Sequence, residues 1–254
     1  MIKMSDRQFG CEFEFSSDFD DVEAIVKPRI NSIYGDRSVM CTDIYMSTEN
    51  NKNYWHLKRD FSTSTELCTP ISTKKELTSI ARVLEHCWKN GIQITKDDSL
   101  HVHVHAPDIP KENILVAWMY IEPAILKCFP KHRRKNEYCE KFIHNSKKNK
   151  NIANFLRTAE KFMDDHHHAM SLSHYKKRKT FEIRISEGTC CKDHIKNWVR
   201  FCLNFACYAR GLDVLYAVCG KPNILTVEDM IVEMKIRDKK VARWLLDRYA
   251  EFSS

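Results

Sequence analysis

Apolar and polar residues alternate in three short stretches that lie far apart in the chain. Phe9-Gly10-Cys11-Glu12-Phe13-Glu14-Phe15 interleaves acids with aromatics, and His101-Val102-His103-Val104-His105 interleaves imidazoles with valines. Thr180-Phe181-Glu182-Ile183-Arg184-Ile185-Ser186 does the same with a carboxylate and a guanidinium. A period of two is that of an extended strand, so each stretch reads as a strand with a buried apolar back and paired polar groups on its other face. Three such strands predict one site on one sheet face.

Between them the pattern changes. The region 38–69 reads as a meander of strands at Val39–Met46, Tyr54–Lys58 and Thr65–Cys68, with Asn50–Asn53 as a turn and antiparallel pairing expected from the short connections. Residues 20–33 read as a short helix interrupted by Pro28. Thr73 and Glu76 have the spacing of a capping box, ahead of Leu77, Ile80, Ala81, Leu84, Cys87 and Trp88 on one helical face. A second helix is expected from Pro110 to about Lys127, others near 152–162, 193–215, 226–236 and 238–251. Ala169–Tyr175 and Thr180–Ser186 read as a hairpin around a basic turn. The 23 aperiodic residues 128–150 are longer than most compact connections and read as a substrate loop or lid. The fold class is α+β, an antiparallel sheet with helices on one face, and 1–254 is expected to form a single domain with a helical part from about 193.

Composition narrows the classes. A chain of 254 residues with 43% hydrophobic content can bury a sizeable core, and six glycines and seven prolines leave no linker-like segment. The net charge of +7 is concentrated in Lys131–Lys135, Lys147–Lys150 and Lys176–Lys179, which favours phosphate-bearing or polyanionic partners without identifying one. The 11 cysteines fall mostly inside apolar periodic segments, where a thiol acts as a small hydrophobe. No leader precedes residue 9 and no apolar run approaches the ~20 residues of a bilayer span, so a reducing cytoplasm is expected, with no membrane partner.

The polar groups carry the chemistry. Glu12 and Glu14, about 6.6 Å apart along a strand, can address hard cations. His101 and His103 can ligate a divalent ion or contact phosphate, and Glu66 adds another acid near a strand. Such carboxylates converging would repel one another without a cation or a proton. An oxygen-rich set suits Mg²⁺ or Mn²⁺. Cys190-Cys191-Lys192-Asp193-His194 lacks the spacing of a common zinc site. Arg184, beside Glu182, reads either as half of a structural ion pair or as a clamp for phosphate or carboxylate.

In order along the chain, Gly10-x-Glu12-x-Glu14, Asp60-x-Ser62 with Glu66 and Pro70, His101-Val-His103-Val, Arg134-x-Asn136-x-Tyr138-Cys139, and Thr180-Phe-Glu182-Ile-Arg184 with Glu187-Gly188-Thr189 resemble the amidoligase family. That family is related to glutamine synthetase and the glutamate–cysteine ligases. The blocks span about residues 9–190. The resemblance implies a glutamine-synthetase-like catalytic sheet and ATP-dependent amide formation through an acyl phosphate. It implies Glu12, Glu14, Glu66, His101 and Glu182 around Mg²⁺, with His103 near ATP phosphate and Arg184 on the transferred phosphoryl group. Arg134 would bind substrate carboxylate or phosphate, Arg178 of the basic turn is a further nucleotide contact, and Glu66 is a candidate base. Two departures stand out: Asp98-Ser99-Leu100 replaces the family's small residue and glycine before its histidines, and Lys176–Lys179 replaces a glycine-containing turn.

The leading expectation is therefore an ATP- and Mg²⁺-dependent carboxylate–amine ligase acting on an amino acid, peptide or small amine, with a modified nucleotide as another acceptor class. The alternatives are a metal-dependent phosphoesterase and a basic nucleic-acid or protein-binding module with a degenerate site. Aromatics are not interleaved with the basic runs, which weakens a base-stacking platform.

Overall fold

A computed structural model of the chain describes residues 2–35, 39–42, 53–60, 64–141, 167–213 and 224–253. They divide into two compact units: Ser5–Val102 with Ser186–Val199, and Met1–Met4 with His103–Ile185 and Arg200–Ser254.

The unit built on Ser5–Val102 holds β1 (Phe9–Phe15), α1 (Phe19–Tyr34), β2 (Val39–Thr42), β3 (Trp55–Asp60), β4 (Ser64–Cys68), α2 (Leu77–Lys89) and the first half of β5 (Ser99–His105). Its strands lie in the order β2-β3-β4-β1-β5. The register aligns Lys58, Glu66 and Glu14 across β3, β4 and β1, and His56, Cys68 and Glu12 in the next polar row. Residues paired across strands share a face. The opposite face therefore presents the buried Leu57, Leu67 and Phe13.

That apolar face accounts for the helices. α1 lies against β2, β3, β4 and α2, burying Phe19, Val22, Val26 and Ile30 along one stripe. The expected break at Pro28 does not occur, because α1 runs through it. Pro28 sits on the exposed side, while Val26 and Ile30 hold the flanking turns to the core. Glu76 reaches back to the Thr73 N–H at 2.7 Å as the capping-box spacing predicts, and α2 follows.

The meander needs a correction. β3 and β4 pair antiparallel as expected, but β2 runs parallel to β3, with Val39 opposite Trp55 and Thr42 opposite Lys58. The twelve residues between Thr42 and Trp55 reach the length that parallel crossovers require, so the connection was long enough after all. The end of the Val39–Met46 strand and most of the Asn50–Asn53 turn lie outside the described residues.

The second unit contains the remainder of β5, α3 (Lys111–Ile125), α4 (Lys131–Arg134), β6 (Met170–Ser171), α5 (Tyr175–Arg178), most of β7 (Thr180–Glu187), the second half of α6 (Lys192–Arg210), α7 (Val227–Glu233) and α8 (Lys239–Phe252). Its strand order is β5-β7-β6. α3 buries residues on every side, as befits a helix that is hydrophobic all round. Phe205 of α6 meets Trp118 and Phe181 edge-on, with ring centroids 5.7 and 5.4 Å away. The two C-terminal helices form where predicted, capped by Thr226 and Asp238.

Three further expectations change here. The strand expected over Ala169–Tyr175 shortens to Met170–Ser171, and the basic turn is the helical turn α5, ended by Lys179 at φ 53°. The helix expected over 193–215 stops at Arg210, before Gly211. The start of the expected 128–150 loop is ordered as α4 and a 3-10 turn at Glu137–Cys139. Residues 142–150 and the expected helix at 152–162 lie outside the described residues.

Candidate active site

In the first unit the polar rows of β1, β4 and β5 bring Glu12, Glu14, Glu66 and His101 together. Ser99, two residues before His101 on the same strand face, donates its hydroxyl proton to Glu14 Oε2 and lies 2.6 Å from His101 Nε2. With that proton committed to Glu14, Nε2 is the donor to Ser99 Oγ. His101 Nδ1 then faces Glu12 Oε2 at 3.4 Å, and Glu14 Oε1 lies 3.6 Å from Nε2.

Glu66 is 6% exposed and stands directly opposite Glu14. Its Oε1 accepts from Lys58 Nζ at 2.9 Å and from Cys68 Sγ at 2.9 Å. Burial, then the nearby Glu12 charge, push the Glu66 carboxyl up to about 7, against the opposing pull of Lys58 and Cys68. Burial, then Glu66 and Glu12, also raise the Cys68 thiol well above its usual range. Burial works against the Lys58 ammonium, yet Cys68, Glu66 and Glu12 hold its pKa above the ordinary lysine value.

This donor set fits a divalent cation. Ligand atoms of Glu12, Glu66 and Cys68 all lie within 4.8 Å of one another, two of them carboxylate oxygens. His101 Nδ1, 3.4 Å from Glu12 Oε2, places an imidazole nitrogen at the edge of this group. The carboxylates suit Mg²⁺ or Mn²⁺, while an imidazole nitrogen and a thiolate would be softer donors.

The second unit holds the other predicted residues. Glu182 is 2% exposed, and its Oε1 accepts from Arg184 Nη1 at 2.6 Å, a bond between alternate residues of β7. His103 Nε2 lies 3.8 Å from the same oxygen, and the His103 ring sits 5.8 Å from that of His174. The buried Arg133 donates to the Arg184 carbonyl at 2.7 Å and lies 3.4 Å from that of Ile185, fixing the strand that carries the pair. Arg134 donates to the Phe252 carbonyl at 2.9 Å, so its guanidinium ties α4 to the end of α8. Arg178 is exposed at the end of α5.

Lys58, Cys68 and Ser99 escaped the sequence reading as site groups. Cys68 and Ser99 had a signal, standing two residues from Glu66 and His101 on strands, while Lys58 becomes visible only once the register is known. The departure at Asp98-Ser99 also acquires a local account. The buried Asp98 accepts from Ser16 Oγ at 2.9 Å and from the Thr95 N–H at 2.6 Å, and its carbonyl accepts from the Gly188 N–H at 2.8 Å. Cys190, Cys191 and His194 form no three-ligand group among the described residues. His194 instead lies 3.0 Å from Ser186 Oγ. The ten described cysteines are free thiols, and no described helix is long and apolar enough to cross a membrane.

Comparison with known families adds one finding. No curated protein matches the chain significantly. The family described as "Putative amidoligase enzyme" matches residues 5–206, which include every strand and all the acids and histidines above. Because that match covers most of the sequence, the chain belongs to the amidoligase family.

Proposed function

We propose that this protein is an ATP-dependent carboxylate–amine ligase that forms an amide through an acyl phosphate, on a glutamine-synthetase-like catalytic sheet. The observation that carries the reading is the pair of close carboxylates, Glu12 and the buried Glu66, whose ligand atoms lie within 4.8 Å of one another and of Cys68. Family membership supplies the reaction class. We take residues 1–254 as one catalytic entity.

In this reading Glu12, Glu14, Glu66 and His101 of the first unit hold Mg²⁺ or Mn²⁺, and Glu182 is the metal ligand contributed by the second unit's strand β7. The ion, when bound, supplies charge neutralisation for ATP phosphates and an anionic carboxylate that would otherwise repel each other. His103 and Arg184 contact phosphate, and the Glu182 bond orients the Arg184 fork. Arg178 is a further nucleotide contact, exposed at the end of α5. Arg134 is assigned to substrate carboxylate or phosphate, which requires its guanidinium to leave the Phe252 carbonyl. Glu66 is also the candidate base for the proton of the attacking amine. The substrates are a small or peptide carboxylate and an amine, with a modified nucleotide as an acceptor class. The free thiols favour a reducing compartment such as the cytoplasm.

The test is an ATP-turnover screen over paired carboxylates and amines, read by product mass, on the full chain and on Glu66→Gln and Arg184→Ala. ADP formation that needs both substrates and is lost in both variants is the expected result. Phosphate release from an ester without ATP would assign the site to hydrolysis. Unaffected turnover in both variants would remove these residues from the chemistry.

A further inference from the structure

Glu66 is already held by a cation, and that cation belongs to the protein. Lys58 stands opposite Glu66 in the β3–β4 register and places its Nζ 2.9 Å from Glu66 Oε1. The same oxygen accepts from Cys68 Sγ. With both lone pairs of Oε1 taken by these donors, a cation can bind this oxygen only by displacing one of them. Yet Glu66 is one of the three groups whose ligand atoms cluster within 4.8 Å.

We propose that Lys58 is a displaceable internal counter-ion, seated at Glu66 where a divalent cation would bind, so that cation binding requires the ammonium to leave. The inference rests on the metal reading above. Charge and exposure carry it. Glu12 and Glu66 together match the two positive charges of a divalent ion, and Lys58 in place cancels half of that. An ammonium and a metal ion on one oxygen would also repel each other at close range. The way out is open, since the Lys58 side chain is 30% exposed against 9% for Glu66. Its four-carbon stem lets the head move to water without disturbing the strand. The outcome is a site whose carboxylates are kept neutralised without metal, at the expense of weaker metal affinity.

The experiment titrates Mn²⁺ into chelator-treated, full-length protein and reads free Mn²⁺ by electron paramagnetic resonance. Wild type, Lys58→Met, Lys58→Gln and Glu66→Gln are compared, with folding checked by circular dichroism. The expected result is at least fivefold tighter Mn²⁺ binding in Lys58→Met and in Lys58→Gln, with binding weakened in Glu66→Gln. The metal-free Lys58 variants should melt below wild type and recover on adding Mn²⁺. A change smaller than fivefold, or weaker binding, in the folded Lys58 variants overturns the proposal, while Mn²⁺ binding that depends on Glu66 leaves the metal reading in place. Absence of Mn²⁺ binding in every variant overturns both.

Discussion

Glu66 gives the metal-free protein a specific pH dependence. Its carboxyl is pushed from 4.5 to about 7 by burial first and then by Glu12, with Lys58 pulling the other way. Between those values the folded chain holds a proton that the unfolded chain has released. Folding is then linked to proton uptake, so stability falls as pH rises through this window and levels off above about 7. The gap corresponds to about 3 kcal/mol. Urea unfolding in the presence of a chelator, from pH 4.5 to 8, on wild type and Glu66→Gln reads this group together with the neighbours whose titration it shifts. Wild type should lose about 3 kcal/mol relative to Glu66→Gln across the window. Saturating Mn²⁺, which binds only the ionised carboxylate, should flatten the curve at its upper end. A pH-independent difference would show that Glu66 is solvated or fully matched by Lys58. A difference of opposite sign would show that Lys58 holds the carboxyl below its ordinary value, and either result refutes the account of a strained acidic cluster.

Two other substitutions test the framework around the site. Arg184→Ala leaves the 2%-exposed Glu182 without the guanidinium 2.6 Å away and should cost about 3 kcal/mol in urea unfolding, with Arg184→Lys recovering part of it. Gly188→Ala should destabilise by about 1–3 kcal/mol in the same assay. A Cβ there would come within 2.8 Å of Asp98 Cβ and 3.0 Å of its backbone carbon, so the segment leading into β5 and His101 must move.

The site strands were legible because their alternation is strict. Glu12 and Glu14, His101 and His103, and Glu182 and Arg184 each fall two apart on β1, β5 and β7. What could not be read was lateral. Lys58 matters because β3 pairs with β4 in a register that sets it opposite Glu66, and register depends on tertiary packing of the Leu57, Leu67 and Phe13 face. Ser99 stood out only as part of a departure from the family pattern and Cys68 as a core thiol, until the fold gave them Glu14 and Glu66 as polar partners. The parallel placement of β2 was hidden for a related reason, since a twelve-residue connection permits either direction. Pro28 illustrates the opposite error, where a local rule against helix was overridden by the buried stripe on either side of it.

Three of the acids meet a donor within the sheet, which bears on how such a site can fold before it binds anything. Glu66 has Lys58, Glu182 has Arg184, and Glu14 has the Ser99 hydroxyl with His101 behind it. A buried carboxylate without compensation would cost several kcal/mol and would make folding depend on metal. Here each meets a donor on its own strand or the next one, so strand pairing itself delivers part of the compensation. The same donors are the groups a cation or phosphate would have to displace or share. Folding without metal and tight cation binding thus draw on the same Glu66 lone pairs, so substitution at Lys58 should strengthen cation binding while weakening the metal-free fold.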